Sequence, residues 1–217
     1  MVNILGVDES RRGPVIGPLV ISGTTIEEKD EIKLKKLGVK DSKLLTPKKR
    51  EELYPKILEI VKSYKIIEIW PAEIDAALES QELNLNWLEA HKTAQIINEL
   101  KPDKAFVDCP SPNKKKYEAY LRNLLDNKEI ELVIEHKAEK YPIVAAASII
   151  SKVHGDNIIK ELQKKFDTPL GPGYMSNETT QKFLKENWEK HPEIFRKSWI
   201  SWKNHKNHKE QKGLNEF

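Results

Sequence analysis

Two acidic residues, Asp8 and Glu9, stand side by side at the end of the first apolar run, and a third, Asp108, closes another short apolar segment far along the chain. Carboxylates at strand ends that point into shared space repel one another, and a divalent cation relieves that repulsion. With no cysteine or histidine pair beside them, such hard oxygen donors suit Mg²⁺ or Mn²⁺ rather than zinc. The plain alternative is three ordinary exposed acids in a chain that has 34. Arg11, Arg12 and Gly13 follow the first two acids directly. Two cationic groups and a residue that permits close backbone approach suit a phosphate held beside a metal. The plain alternative there is a turn with two solvated arginines.

The elements that must position these groups can be read from periodicity and turn residues. Val2–Val7 reads as a strand, and Val15–Ile26, carrying Gly17, Pro18 and Gly23, as its antiparallel neighbour across a glycine-rich turn. Adjacent residues of a regular strand face opposite ways, so Asp8 and Glu9 share a site only where the strand is ending. Thr46-Pro47 marks a helix start, with apolar residues at helical spacing to about Ser63. Tyr64–Trp70 reads as a strand, Pro71 as the start of a short helix and Asn84–Leu100 as a longer one. Ala105–Asp108 and Ile130–Glu135 read as strands around a polar helix, Lys114–Leu125. Pro142–Phe166 carries the strongest helical pattern. Strands first, then strand and helix in alternation, predict a mixed sheet with helices on its faces. From Gly171 the character changes to a loop, GPGYMSNETT, and then to a basic segment, Arg196–Lys212, with Trp199 and Trp202 interleaved. That segment is expected to track phosphates. Trp188, Trp199 and Trp202 are expected to anchor packing, and His205 and His208 to be solvated.

A length of 217 residues fits one domain with a short appendage. Charged residues make up 33%, against about 25% in typical domains, and the excess is mostly Lys and Glu. No apolar run approaches the roughly 18 residues of a membrane span, and the N-terminus lacks the basic opening of a signal peptide. The one cysteine, Cys109, excludes an internal disulfide framework and a Cys-rich zinc site. The expectation is a cytoplasmic protein with no membrane partner. At a net charge of +3 the molecule is no polycation, so any nucleic-acid affinity must come from where its charges sit.

The residues also carry a resemblance. GVDESRRGPVIGPLV is similar to the opening block of type 2 ribonucleases H (ribonuclease HII). The similarity continues through LGVKDSKLLTPKKREELY, NLNWLEAHKTAQIINEL, FVDCP, HKAEKYPIVAAASIISKV, GPGYMSN and HPEIFRKSW, in order over roughly residues 4 to 202. KYP before VAAAS gives it an archaeal flavour. The resemblance implies a ribonuclease H-like α/β fold, a mixed five-stranded sheet flanked by helices with a helical C-terminal extension. The corresponding division is a catalytic domain over 1–168, a substrate-binding region over 169–209 and a flexible tail over 210–217. It implies an endonuclease that hydrolyses the phosphodiester 5′ to ribonucleotides, in RNA/DNA hybrids and in DNA duplexes with embedded ribonucleotides, by two-metal catalysis with Mg²⁺ or Mn²⁺. Its metal-holding acids fall on Asp8, Glu9 and Asp108. The fourth falls on Glu139 once a one-residue deletion in KAEKYP is allowed, with Glu135 as the fallback. Arg11, Arg12 and Gly13 take the place of the family's Gly-Arg-Gly, whose backbone reads the ribose 2′-hydroxyl. A side chain at position 11 restricts the backbone and is expected to crowd the sugar. Lys43, from Asp41-Ser42-Lys43, is expected on the substrate backbone, and Tyr174 against the sugar at the junction.

The last residues, QKGLNEF, place Gln211, Leu214 and Phe217 at the spacing of a sliding-clamp peptide. The resemblance implies a monomer. The alternative is a duplex-binding or clamp-bound module of the same fold with a weakened site, motivated by Arg11 and the shortened fourth-acid motif. Three intact acids argue against it. A different nuclease of the superfamily is disfavoured by the Asp41-Ser42-Lys43 and Gly173-Tyr174 blocks.

Overall fold

In the computed structural model, which describes residues 1–80 and 82–214, the first two apolar runs form β1 (Asn3–Ser10) and β2 (Leu19–Glu27), paired antiparallel. β3 (Ser63–Ile69) joins the outer edge of β2, also antiparallel. β4 (Lys104–Asp108) lies parallel to β1 on its other side, and β5 (Glu131–Glu135) parallel to β4. The order β3-β2-β1-β4-β5 is the expected mixed five-stranded sheet.

β1 lies at the centre, and alternation along it sends Leu5 and Val7 to one face and Ile4 to the other. The first face packs on α4 (Leu85–Leu100) and α5 (Lys114–Leu124), with Ile96 and Tyr117 buried against it. The second face carries α6 (Pro142–Phe166), flanked by α1 (Glu31–Leu37) and α2 (Pro47–Ile60). Gly6 permits this close seating, because a β-carbon there would lie 2.4 Å from the backbone of Ile143. Buried polar residues of β2 use the same approach: Ser22 Oγ donates to the Ala147 carbonyl (2.7 Å) and Thr24 Oγ1 to that of Ile143 (3.1 Å).

The C-terminal region forms α7 (Glu178–Asn187) and α8 (Ile200–Leu214) around a third apolar cluster, which includes Ile16, Ile159, Phe183, Phe195 and Trp202. The boundary expected at residue 210 falls inside α8. A short helix, α3 (Pro71–Glu79), fixes this region: Asp75 accepts from the Lys197 and Ser198 amides and from Ser198 Oγ. No helix among the described residues is long and apolar enough to cross a membrane.

Three local readings need correction. The Val15–Ile26 run is not all strand. β2 begins at Leu19, and Ile16 instead bridges Phe195, because Pro14 and Pro18 have no amide to donate and Gly17 turns the chain at φ +80°. The loop from Gly171 ends at Asn177, whose side chain caps α7 by accepting from the Thr180 amide (3.1 Å). α1 was missed because it is short and mostly exposed, with Leu34 its only buried residue.

Candidate active site

The parallel pairing of β1 with β4 stops at Val7 opposite Val107, while β1 runs on to Ser10 along β2. A cleft therefore opens beyond the carboxyl end of β4, at the centre of the sheet where its strand directions change. Ligands of open α/β sheets bind in such crevices. Asp8, Glu9 and Asp108 line it. One carboxylate oxygen from each lies within 4.8 Å of the other two. The strand does not end at Glu9, as the sequence suggested. Its neighbour does, and both acids reach the gap from opposite faces of β1.

Asp8 is buried on the α6 side, with the Ser148 hydroxyl beside its carboxylate. Ser148 Oγ is also 2.9 Å from Ser42 Oγ, which ties α6 to the turn carrying Lys43. Asp8 Oδ1 accepts from the Glu9 amide (2.7 Å). Glu9 faces the α4 side. Asp108 Oδ1 accepts from the Ala138 amide (2.8 Å), which draws the Ala138–Lys140 turn over the end of β4.

Burial pushes all these carboxyls towards the protonated form, and crowding adds to it at Asp8, Glu9 and Glu139. Asp8 rises well above the ordinary aspartate range through burial, and then through the charges of Glu9, Asp108 and Glu139. Glu9 is pushed up to about 7 by burial and by Asp108. Asp108 rises through burial, against the pull of its amide bonds and Lys43. Glu139 rises through burial and the charge of Asp108. Its side chain is nearly buried, with Lys43 Nζ 3.9 Å away. Glu135, the fallback, is committed elsewhere: it pairs with Lys140 and accepts from Tyr141 Oη (3.3 Å). Oxygen donors gathered closely, of which only Glu139 has a lysine within ion-pair reach among the described residues, fit a hard divalent ion.

The flanking residues divide by what they face. Arg12 is partly exposed and bonds Glu89 through Nε (2.7 Å) and Asn86 through Nη2 (2.7 Å). Gly13 lies beneath Tyr174, whose Cε1 is 3.6 Å from where a β-carbon on Gly13 would stand. Lys43 extends into solvent at 83% side-chain exposure. Arg11 does not crowd this surface. Its backbone adopts φ +59°, and its side chain turns inward. The basic segment also needs correction at its first residue. Arg196 is fully buried, and it donates to the carbonyls of Arg11 (2.7 Å), Arg12 (2.7 Å) and Gly17 (3.0 Å). It holds the turn rather than a phosphate. Trp199 adds a bond from Nε1 to the Gly13 carbonyl (3.1 Å), and Trp202 is core, as expected. His205 meets Trp188 edge-on instead of being merely solvated.

Sequence reading missed Glu89 and Ser148. Glu89 is buried on α4, pushed up to about 8 by burial and by Glu9, and it partners Arg12. Its signal was an acid on the apolar face of a helix. Of the tail triplet, Phe217 and the side chains of Gln211 and Leu214 lie outside what the structure describes.

The family model for Ribonuclease HII matches residues 5–202. The chain belongs to the ribonuclease HII family. It is thereby a metal-dependent nuclease of RNA/DNA hybrids. Ribonuclease HII of Methanocella arvoryzae is 44% identical over 200 residues, covering 90% of this chain and 88% of that one. That of Methanococcus maripaludis is 46% identical over 204 residues, covering 91% and 84%. Among solved structures, ribonuclease H2 of Pyrococcus horikoshii superposes with a TM-score of 0.86 at 38% identity, over 95% of this chain and 98% of that one. A complex of PCNA with ribonuclease HII from Archaeoglobus fulgidus gives 0.81 at 37% identity, over 92% and 95%.

Proposed function

We infer that this member of the family cuts the phosphodiester 5′ to a ribonucleotide, in RNA/DNA hybrids and at single ribonucleotides within duplex DNA. The observation that carries the reading is the continuity of the site. The carboxylates of Asp8, Glu9 and Asp108 lead directly, through Arg12 and Gly13, to the exposed Tyr174. Asp8, Glu9, Asp108 and Glu139 would hold two divalent ions, Mg²⁺ or Mn²⁺. When bound, such ions supply an activated water and stabilise the departing 3′ oxygen. Arg12, held by Glu89 and Asn86, presents a cation to the backbone beside the scissile phosphate. Lys43 adds a second, and Tyr174 and Gly13 form the two walls against which a sugar packs. Arg11, turned inward, leaves the backbone amides of the turn free to meet a 2′-hydroxyl.

Cleavage of a labelled DNA duplex carrying one ribonucleotide, beside a uniform hybrid, tests this with either metal. A single cut 5′ to the ribonucleotide, lost in Asp8→Asn, is the expected result. Cutting of the hybrid alone would remove the junction reading. No cutting under any condition would favour the duplex-binding module.

The tail supports a second reading, that Gln211, Leu214 and Phe217 dock on a sliding clamp. The Archaeoglobus relative was solved with PCNA, and the tail carries an aliphatic and an aromatic residue on an otherwise polar stretch. Loss of binding to a homotrimeric clamp in Leu214→Ala/Phe217→Ala is expected, and unchanged binding would sink the idea.

A further inference from the structure

We propose that Arg11 is a positioning residue that ties the end of the catalytic strand to the Tyr174 loop and so sets discrimination at the ribonucleotide junction. The proposal rests on the junction-cutting reading given above.

The side chain occupies a chamber built for it. Arg11 Nη1 donates to the Pro172 carbonyl (3.2 Å) and Nη2 to that of Ile16 (3.0 Å), with Asp156 Oδ1 4.0 Å from Nη1. The guanidinium therefore links three segments: the turn after β1, the Val15–Ile16 stretch that bridges Phe195 and the loop that carries Tyr174. Two glycines make the room. A β-carbon on Gly155 of α6 would lie 2.4 Å from Arg11 Cδ, and one on Gly173 would lie 2.9 Å from Nη2. A glycine inside a 25-residue helix weakens it, and here that gap is filled by the stem of Arg11. The left-handed backbone of Arg11 is one that side chains disfavour. It persists because the surroundings over-determine it: Arg196 holds the Arg11 carbonyl from one side, and the chamber holds the side chain from the other. The Val15 amide donates to the Gly173 carbonyl (2.9 Å), so the loop is seated on the turn at two adjoining points, and Arg11 supplies the side-chain one.

The site's acids are not part of this chamber. Arg11 acts on the sugar-facing wall through the loop, and its loss should move substrate discrimination before it moves metal binding.

Three variants test the assignment: Arg11→Gly, Arg11→Lys, and the exchange Arg11→Gly/Gly155→Arg. The exchange returns a guanidinium to the same chamber from the helix side, since a side chain on residue 155 starts where the Arg11 stem lies. Amide hydrogen exchange over residues 171–175 is read alongside kcat/KM on the single-ribonucleotide duplex and on the uniform hybrid. In Arg11→Gly the loop amides should exchange at least tenfold faster, with α4 unchanged. The single-ribonucleotide kcat/KM should fall about tenfold more than the hybrid value. The exchange variant should recover most of both effects. Arg11→Lys, which reaches only one of the two carbonyls, should fall between. Unchanged loop exchange in Arg11→Gly, or equal losses on both substrates with no rescue, would overturn the assignment. If the wild-type chain cuts neither duplex, the junction reading fails on its own, and loop exchange still decides whether Arg11 holds the loop.

Discussion

The turn from Ser10 to Gly13 has buried charge on both sides, and the two sides are built by opposite rules. Behind it, the guanidiniums of Arg196 and Arg11 are met by five backbone carbonyls between them. Burial and the neighbouring charge of Arg11 push Arg196 down to about 9, and burial pushes Arg11 down as well, so Arg196 still keeps its charge at neutral pH. In front, Asp8, Glu9 and Asp108 are aimed mainly at one another; burial raises all three, and the neighbouring acids add to it at Asp8 and Glu9. The first cluster is met almost wholly within the protein, with Arg11 Nε the one guanidinium atom left without an acceptor among the described residues. The second is completed only by a cation from outside. A buried charge that the fold satisfies reads as architecture, and one that it leaves frustrated reads as a site.

The strongest way to break this contrast is to remove one charge from each side. Asp8→Asn should lower kcat by about 10³ or more, equivalent to ~4 kcal/mol of transition-state stabilisation. It should also raise the melting temperature of the metal-free protein, because one of three repelling carboxylates is gone. Steady-state cleavage and calorimetry check both halves. A lower metal-free melting temperature would mean that the acids stabilise the fold and are not frustrated.

Arg196→Met should do the reverse. It leaves three buried carbonyls without a donor and should cost about 3–5 kcal/mol of stability, or roughly 10 °C in Tm for a chain of this size. Denaturant unfolding measures it, and Arg196→Lys should lie between. A stable Arg196→Met variant with normal kcat would show the turn to be held by its other contacts.

Titration sharpens the comparison without mutation. The site carboxyls have folded pKa values above their unfolded ones, with Glu9 at about 7 and Glu89 at about 8. The native state then keeps protons that the unfolded chain releases. Their contribution to stability is fully present below the ordinary carboxyl range, falls as pH rises through it and is lost by about pH 8. The metal-free protein should therefore lose Tm between about pH 4.5 and pH 8, and Mg²⁺ or Mn²⁺ should restore most of it at the upper end. A flat metal-free profile would contradict the crowding.

How much of this was legible in the sequence follows the same divide. The strands and α6 were readable because their burial is periodic. Asp8, Glu9 and Asp108 were readable because acids ending apolar runs are conspicuous. What stayed hidden was whatever depends on the third dimension. Nothing local says that β4 stops short of β1 and so lets two oppositely facing neighbours share a cleft. Arg196 looked like one more cation in a basic segment, although its partners lie far away in sequence at Arg11, Arg12 and Gly17. The inward turn of Arg11 depends on Gly155, which in sequence is only an odd glycine within a helix.

Glu89 is the mixed case, and it should respond least. It is an acid near Glu9 whose Oε1 accepts from Arg12 Nε at 2.7 Å while its buried Oε2 has no partner among the described residues, so it stands between the two sides of the contrast. Glu89→Gln keeps an acceptor for Arg12 while removing the charge. Because Arg12 is partly exposed, the lost ion pair is worth on the order of 0.5–1 kcal/mol, which translates to a KM two- to fivefold higher on the single-ribonucleotide duplex. The kcat should hold. A kcat loss of 100-fold or more, rescued by raising the metal concentration, would instead place Glu89 among the acids that hold the cations, and the boundary between the two sides of the turn would have to be redrawn through α4.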